Sequence, residues 1–167
     1  LRSTTQHSKI TLALISLTVL TACGGSREAP QPRPAAADVE CMARAMYFES
    51  NRSSSNGMLA VGSVVMNRVE SDRFPNTVCG VVSQPKQFAP GVMTKPMNKG
   101  ANLARQIAQE VLSGQRHPKV SKAKFFHAAW YRANYNNMHY VVTAGGNAFY
   151  EKRRPEQVTN RRPFPEE

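Results

Sequence analysis

The sequence is short of several residue types, and each shortage narrows the reading. Only 3 cysteines are present, none in zinc-finger spacing, so they cannot be read as a metal-binding module. The 4 histidines are scattered, and His117, His127 and His139 form no recognisable zinc set. No metal or cofactor is therefore expected. No RNA-binding signature and no internal repeat is evident, which leaves nucleic acid without a motif and solenoid folds without a period. Long apolar runs are also missing. The longest uncharged apolar stretch, Ile10 to Leu20, would reach about 16 Å as a helix against a hydrocarbon core of ~30 Å. Acidic groups are scarce where a fold can form: between Val39 and Tyr150 the carboxylates are Glu40, Glu49, Glu70, Asp72 and Glu110.

What is present in excess is positive charge, with 22 Lys and Arg against 11 Asp and Glu, a formal balance of +11. Such a balance favours an anionic partner: nucleic acid, acidic lipid or an anionic envelope polymer. The N-terminal segment discriminates among them. A short basic leader (Arg2, His7, Lys9) and the apolar run to Leu20 read as a secretory signal core, ending in Leu20-Thr21-Ala22-Cys23, which resembles the bacterial lipobox. Residues 1–22 are thus expected to be a lipoprotein signal peptide, with Cys23 the lipidated residue. An ordinary signal with a chance cysteine is the alternative. Export removes nucleic acid as the expected partner and leaves the membrane, through the lipid, and anionic envelope polymers. Gly24 rather than Asp follows the cysteine, which points to the periplasmic face of the outer membrane.

Residues 23–37, rich in Gly, Pro and Ala, read as a tether reaching about 40 Å when extended. Residues 151–167, charged and proline-rich, read as a largely disordered basic tail. The foldable domain is 38–150. Asp38 is the expected cap of a helix running to Phe48, and Asn56 of a nearly all-apolar, buried helix over 57–70. Thr77 to Val82 suits a short helical turn. A third long helix spans 100–113, with Leu103, Ile107, Val111 and Leu112 on one side, and Gly114 stops it. Short aromatic and β-branched runs follow at 124–127, 139–142 and 148–150, the last two separated by Gly145-Gly146. Three main helices followed by a short antiparallel sheet make an α+β domain.

Of the five carboxylates, Glu49 stands apart. It lies three, four and seven residues after Met46, Ala45 and Met42, on their apolar stripe, and at the helix end that the macrodipole disfavours for an acid. Burial among Met46, Tyr47 and Phe48 would raise its pKa, as a general acid near neutral pH requires. The plainer reading has Glu49 ending its helix in solvent. Glu70 and Asp72, beside Arg68 and Arg73, read as surface ion-pair members, and Glu110 as solvated. One good acid without a second does not suit two-carboxylate glycoside hydrolysis. It suits a reaction whose substrate supplies the nucleophile, as the C6 hydroxyl of N-acetylmuramic acid can in peptidoglycan.

The blocks Cys41 to Glu49, Gly57, Ala60 to Val69, Arg73 to Val82, Gln87-Phe88, Phe125-Phe126-His127 and Gly145 to Tyr150, in this order, resemble the spore-cortex-lytic (SleB-type) cell-wall hydrolases over nearly all of 40–150. The resemblance implies a lysozyme-like α+β fold with a substrate groove, and lytic transglycosylase or muramidase activity on peptidoglycan. It carries the family's acid onto Glu49. Relatives often have a second Glu four positions on, where this chain has Ser53, and Gly-Gly-His where it has Asn147. The alternatives are a wall-binding lipoprotein without activity and, third, a hydrolytic muramidase or an amidase.

Around Glu49, Gln87 is the expected partner of acetamido groups and Phe88 of a sugar ring. His127, Asn147 and Tyr150 are further substrate-binding candidates, although a sheet-bound role for His127 is equally open. Cys41 and Cys79 either form a disulfide or remain as buried thiols. Asn67 and Arg68 interrupt an apolar helix and are read as structural, bonding the loop of Gln87 or Glu49 itself. Trp130 and Tyr131 suit either a saccharide platform or a loop anchor.

Overall fold

The structure, a computed structural model, describes residues 33–166. The signal peptide, Cys23 and most of the tether lie outside the described residues. Four helices come first: α1 (Ala36–Glu49), α2 (Ser55–Val69), α3 (Val78–Val82) and α4 (Ala101–Leu112). Three strands follow, β1 (Phe125–Ala128), β2 (Met138–Ala144) and β3 (Asn147–Lys152). They form an antiparallel sheet in the order β1-β3-β2. The α+β arrangement is the expected one.

Boundaries differ where local chemistry overrides pattern. α1 starts at Ala36, inside the expected tether, because Ala35-Ala36-Ala37 is strongly helix-favouring and places Asp38 in the positive first turn rather than at the cap. α2 is capped by Ser54, whose Oγ accepts from the Gly57 N–H at 3.0 Å, and not by Asn56. At α3 the Thr77 hydroxyl does the same for Gly80, at 3.1 Å.

α2 is the central helix, with Met58, Ala60, Val61, Val64 and Val65 fully buried. α1 adds Met42, Ala45, Met46 and Tyr47, and α4 adds Ala104, Ile107, Ala108 and Val111. Each large side chain buried this way contributes about 1.5–3 kcal/mol. Gly62 lets the three helices close: a Cβ there would fall 2.2 Å from Met46 Cε and 3.1 Å from a Val111 methyl. A disulfide joins Cys41 on α1 to Cys79 on α3.

At its C-terminal end α2 holds the strand approach. Asn67 Nδ2 donates to the carbonyls of Ser121 and Ala123, both at 2.8 Å, and Arg68 Nε to that of Lys124 at 2.8 Å. These two residues therefore bond the chain entering β1, not the loop of Gln87.

Residues 151–166 correct the expectation of a disordered tail. β3 continues to Lys152, Pro155–Gln157 make a 3-10 turn, and Val158 is buried. The Tyr140 N–H donates to the Asn160 carbonyl at 3.0 Å, and Asn160 Nδ2 to the Tyr140 carbonyl at 3.3 Å. The outer edge of β2 would otherwise leave backbone groups unpaired, at the point where its register with β3 slips between Tyr140 and Val142. Composition alone did not reveal that partner.

Candidate active site

Glu49 is the last residue of α1. The helix stops because Ser50 turns extended (φ −115°, ψ 170°) while its N–H and Oγ both bond the Met46 carbonyl. The chain that follows is fixed to the β2–β3 turn, where the Asn51 N–H donates to the Gly145 carbonyl at 3.1 Å. Gly145 has φ +58°, and its Cα would lie 2.5 Å from a Cβ on Gly57, so the turn reaches the start of α2 only with glycine at both positions. This close approach brings β3 up to Glu49. Asn147, the first residue of β3, donates its side-chain amide to the Glu49 carbonyl oxygen.

The Glu49 side chain is half-buried and accepts at Oε1 from the Ala89 N–H. Burial raises its pKa above the ordinary carboxylate value, while the Ala89 hydrogen bond and the positive charge of Arg68 pull the other way. Glu40, at the opposite end of the helix, is shifted downward, held by Arg105 at 2.9 Å and by Arg44 at 3.6 Å. Of the remaining expected surface acids, Glu70 and Glu110 are engaged away from Glu49. Glu70 pairs with Arg116 at 3.3 Å rather than with Arg68 or Arg73, and Glu110 accepts from Gln106 at 3.1 Å. Ser53 caps its own turn, its Oγ donating to Asn51 Oδ1 at 2.9 Å.

Arg68 is the residue that sequence reasoning undervalued. It is 4 % exposed, and desolvation lowers its pKa to about 10, opposed by the negative forms of Tyr150 and Glu49. Its guanidinium lies over the rings of Phe74 (5.2 Å) and Phe88 (5.3 Å). Nε is satisfied by the Lys124 carbonyl, but the buried Nη1 has no hydrogen-bond partner among the described residues. A buried cation with an unused donor, close enough to Glu49 to shift it, is an electrostatic element of the site. The available signal was the lone charge ending an otherwise apolar α2.

The predicted binding residues divide. Phe88 is buried in the core beneath Arg68, so it is not free to pack on a sugar. Asn147 is 7 % exposed with its amide engaged on Glu49, which makes it a brace for the acid rather than a sugar ligand. Gln87 is exposed. His127 is held in the sheet by Tyr140, with Nε2 2.8 Å from the hydroxyl, and by the Ala128 carbonyl, 2.9 Å from Nδ1. Tyr150 stacks on Phe125 at 5.6 Å, and burial raises the pKa of its phenol. Trp130 and Tyr131 are exposed. Among the described residues no group of three His, Cys, Asp or Glu side chains is placed to hold a metal ion.

What this arrangement can do is favour the protonated form of one carboxyl, keep one of its oxygens on a backbone N–H, and stabilise the carboxylate once the proton has gone. Comparison with known proteins bears on the family and the fold. A family model described as Cell Wall Hydrolase matches residues 52–150, beginning three residues after Glu49. The spore cortex-lytic enzyme of Bacillus cereus is 47 % identical over 51 residues, covering 30 % of this chain and 20 % of that protein. That of Oceanobacillus iheyensis is 41 % identical over 77 residues, covering 46 % and 28 %. The chain thus matches about a quarter of the length of these relatives. Two solved structures cover nearly all of their own length. The catalytic domain of the germination-specific lytic transglycosylase SleB from Bacillus anthracis is 27 % identical, with TM-score 0.59, over 72 % of this chain and 99 % of that one. The Bacillus cereus SleB catalytic domain is 27 % identical, with TM-score 0.60, over 77 % and 100 %. The fold is the one these catalytic domains share.

Proposed function

The chain belongs to the cell wall hydrolase family, and from that membership we propose that it cuts peptidoglycan glycan strands as a lytic transglycosylase. The bond is that between N-acetylmuramic acid and N-acetylglucosamine, and Glu49 acts first as acid and then as base. The observation that carries this reading is the environment of Glu49: burial raises its pKa, Ala89 holds one oxygen, and Glu40, Glu70 and Glu110 are engaged elsewhere.

In the first half of the reaction the Glu49 carboxyl gives its proton to the glycosidic oxygen as the C1–O bond of N-acetylmuramic acid breaks. The leaving N-acetylglucosamine end departs as an alcohol. Glu49 is now a carboxylate, and the nearby positive charge of Arg68 favours that state without a direct ion pair that would hold it ionised from the start. In the second half Glu49 takes the proton of the C6 hydroxyl while O6 bonds to C1. A 1,6-anhydro ring closes and the acid is regenerated, so the proton count balances with no water consumed. Tyr150 and Gln87 are the remaining candidates for contact with the sugars. The SleB domain from Bacillus anthracis, described as a germination-specific lytic transglycosylase, supports this choice over simple hydrolysis.

Export and lipidation at Cys23 belong to the same proposal, resting on the apolar run and lipobox-like sequence of residues 10–23. They would tether the enzyme to the envelope beside its substrate. The experiment for the activity is digestion of purified sacculi by the wild-type chain and by Glu49→Gln, with muropeptides analysed by mass. Anhydro-muropeptides from the wild type alone are expected. Reducing ends would indicate a hydrolytic muramidase, and no soluble product from either protein would return the reading to a wall-binding lipoprotein.

A further inference from the structure

A recess of about 690 Å³ lies between the loop after β1 and the C-terminal segment. Its walls carry Arg132, Arg161 and Arg162 together with Tyr131, Tyr140 and Phe164. Three guanidinium groups around one opening repel each other. Among the described residues none of the three is in an ion pair. Arg132 and Arg161 bond only the Ala129 and Pro155 carbonyls, at 3.1 and 3.3 Å. The neighbouring Glu166 makes no ion pair with them; its Oε1 accepts from the Gly146 N–H at 3.0 Å. Three arginines with none in an ion pair, in a concave, aromatic-walled recess beside a single carboxylate, suit an anionic organic ligand. The guanidinium fork fits a carboxylate through two parallel hydrogen bonds.

Position narrows the class. The Tyr140 hydroxyl in the recess wall is 2.8 Å from His127 Nε2, and the His127 ring is 5.6 Å from that of Tyr150. Tyr150 and Glu49 both act on the charge of Arg68. The backbone gives a second route: Gly146 bonds Ala129 of the recess at 2.8 Å and also Glu166, and the next residue, Asn147, holds Glu49. The recess is therefore linked to the acid through the β2–β3 turn. A glycan strand lying across Glu49 carries, on each muramic acid, a short peptide with free carboxylates projecting sideways. The Arg161–Pro165 wall lies beyond residues 52–150, which the family model matches.

We propose that the recess lined by Arg132, Arg161 and Arg162 binds the carboxylates of the stem peptide on the strand being cut, giving the enzyme a preference for peptide-bearing over bare glycan. The preference, though not the binding, rests on the glycan-cleaving reading above. The test uses the full chain, the double variant Arg161→Gln/Arg162→Gln and, from the opposite wall, Arg132→Gln, each checked for an unchanged melting temperature. Two substrates are compared: stem-peptide-bearing glycan strands, and the same strands stripped of peptide by an amidase. The wild type is expected to prefer the former by about ten-fold or more in kcat/KM, the worth of one charge-assisted pair. Both variants should lose that preference while their rate on bare strands stays within two-fold.

Binding of the free stem tetrapeptide, followed by NMR shifts of Ala129, Ala133 and Phe164, is measured in parallel and needs no turnover. Peptide binding that is lost in both variants sustains the proposal even if no strand is cut, in which case only the activity reading falls. Equal cutting of both substrates by the wild type overturns the proposal, as does a preference retained in the variants. So does arginine-dependent binding of phosphatidylglycerol vesicles or inorganic phosphate without binding of the tetrapeptide.

Discussion

The first helix carries a glutamate near each end, and the two ends make opposite uses of the same side chain. Glu40 meets Arg105 and Arg44 directly at a partly exposed surface, and its pKa falls. Glu49 is half-buried, bonded to a neutral backbone N–H, with its nearest cation acting at a distance, and its pKa rises. Charge in the neighbourhood is common to both. What differs is whether the cation is in contact and whether water has been removed. A direct pair makes a permanent anion, whereas burial with a withheld cation makes a group able to give up a proton and then tolerate the charge.

The comparison is open to attack at each of its parts. The largest effect is expected from Glu49→Gln, which removes the transferable proton and should lower sacculus digestion by at least about 10³-fold. The same variant has a stability signature. A carboxyl whose pKa is raised by folding contributes stability that is full below its unfolded value and is lost as pH rises through the folded value. Glu49→Gln should therefore be more stable than the wild type at pH 7, by thermal melting, and the advantage should vanish below the ordinary glutamate value of 4.5.

Arg68→Met comes next. It keeps the packing against Phe74 and Phe88 but removes the charge, and should cost about 10- to 100-fold in activity. Because Arg68 lowers the pKa of Glu49, that pKa should climb further in the variant, moving the alkaline limb of the pH–rate profile to higher pH. An unmoved limb would mean that Arg68 only packs.

Cys41→Ser/Cys79→Ser opens a constraint of sequence separation 38 and should lower unfolding free energy by about 3–4 kcal/mol in denaturant titration, with little effect on kcat. The smallest effect belongs to Glu40→Gln, which should cost at most about 1 kcal/mol and leave activity unchanged. Its sign with pH is opposite to that of Glu49: the wild-type advantage is present above pH 4.5 and lost as pH falls through the lowered value.

The same contrast explains what could be read from the sequence. The apolar stripe of α1, the buried α2 and the Gly145-Gly146 turn are local patterns, and each predicted its element to within a few residues. Glu49 was legible because an acid on an apolar stripe is conspicuous locally. Its surroundings were not. Arg68 and Phe88 meet across the core, Asn147 reaches Glu49 from 98 residues away, and Ala89 from 40. Sequence spacing does not specify such meetings. Phe88 and Asn147 were accordingly expected against the sugars and are found beneath Arg68 and on the Glu49 carbonyl. The C-terminal segment failed for a related reason: its composition is that of a solvated tail, but a free β2 edge gave Asn160 a backbone to pair with.

The central claim is that one carboxyl carries both proton transfers and no water enters. It is tested most directly by digesting sacculi in H₂¹⁸O and weighing the muropeptides. The account predicts anhydro ends free of ¹⁸O from the wild type and none from Glu49→Gln. Reducing ends carrying one ¹⁸O would contradict it and make water, not the C6 hydroxyl, the nucleophile.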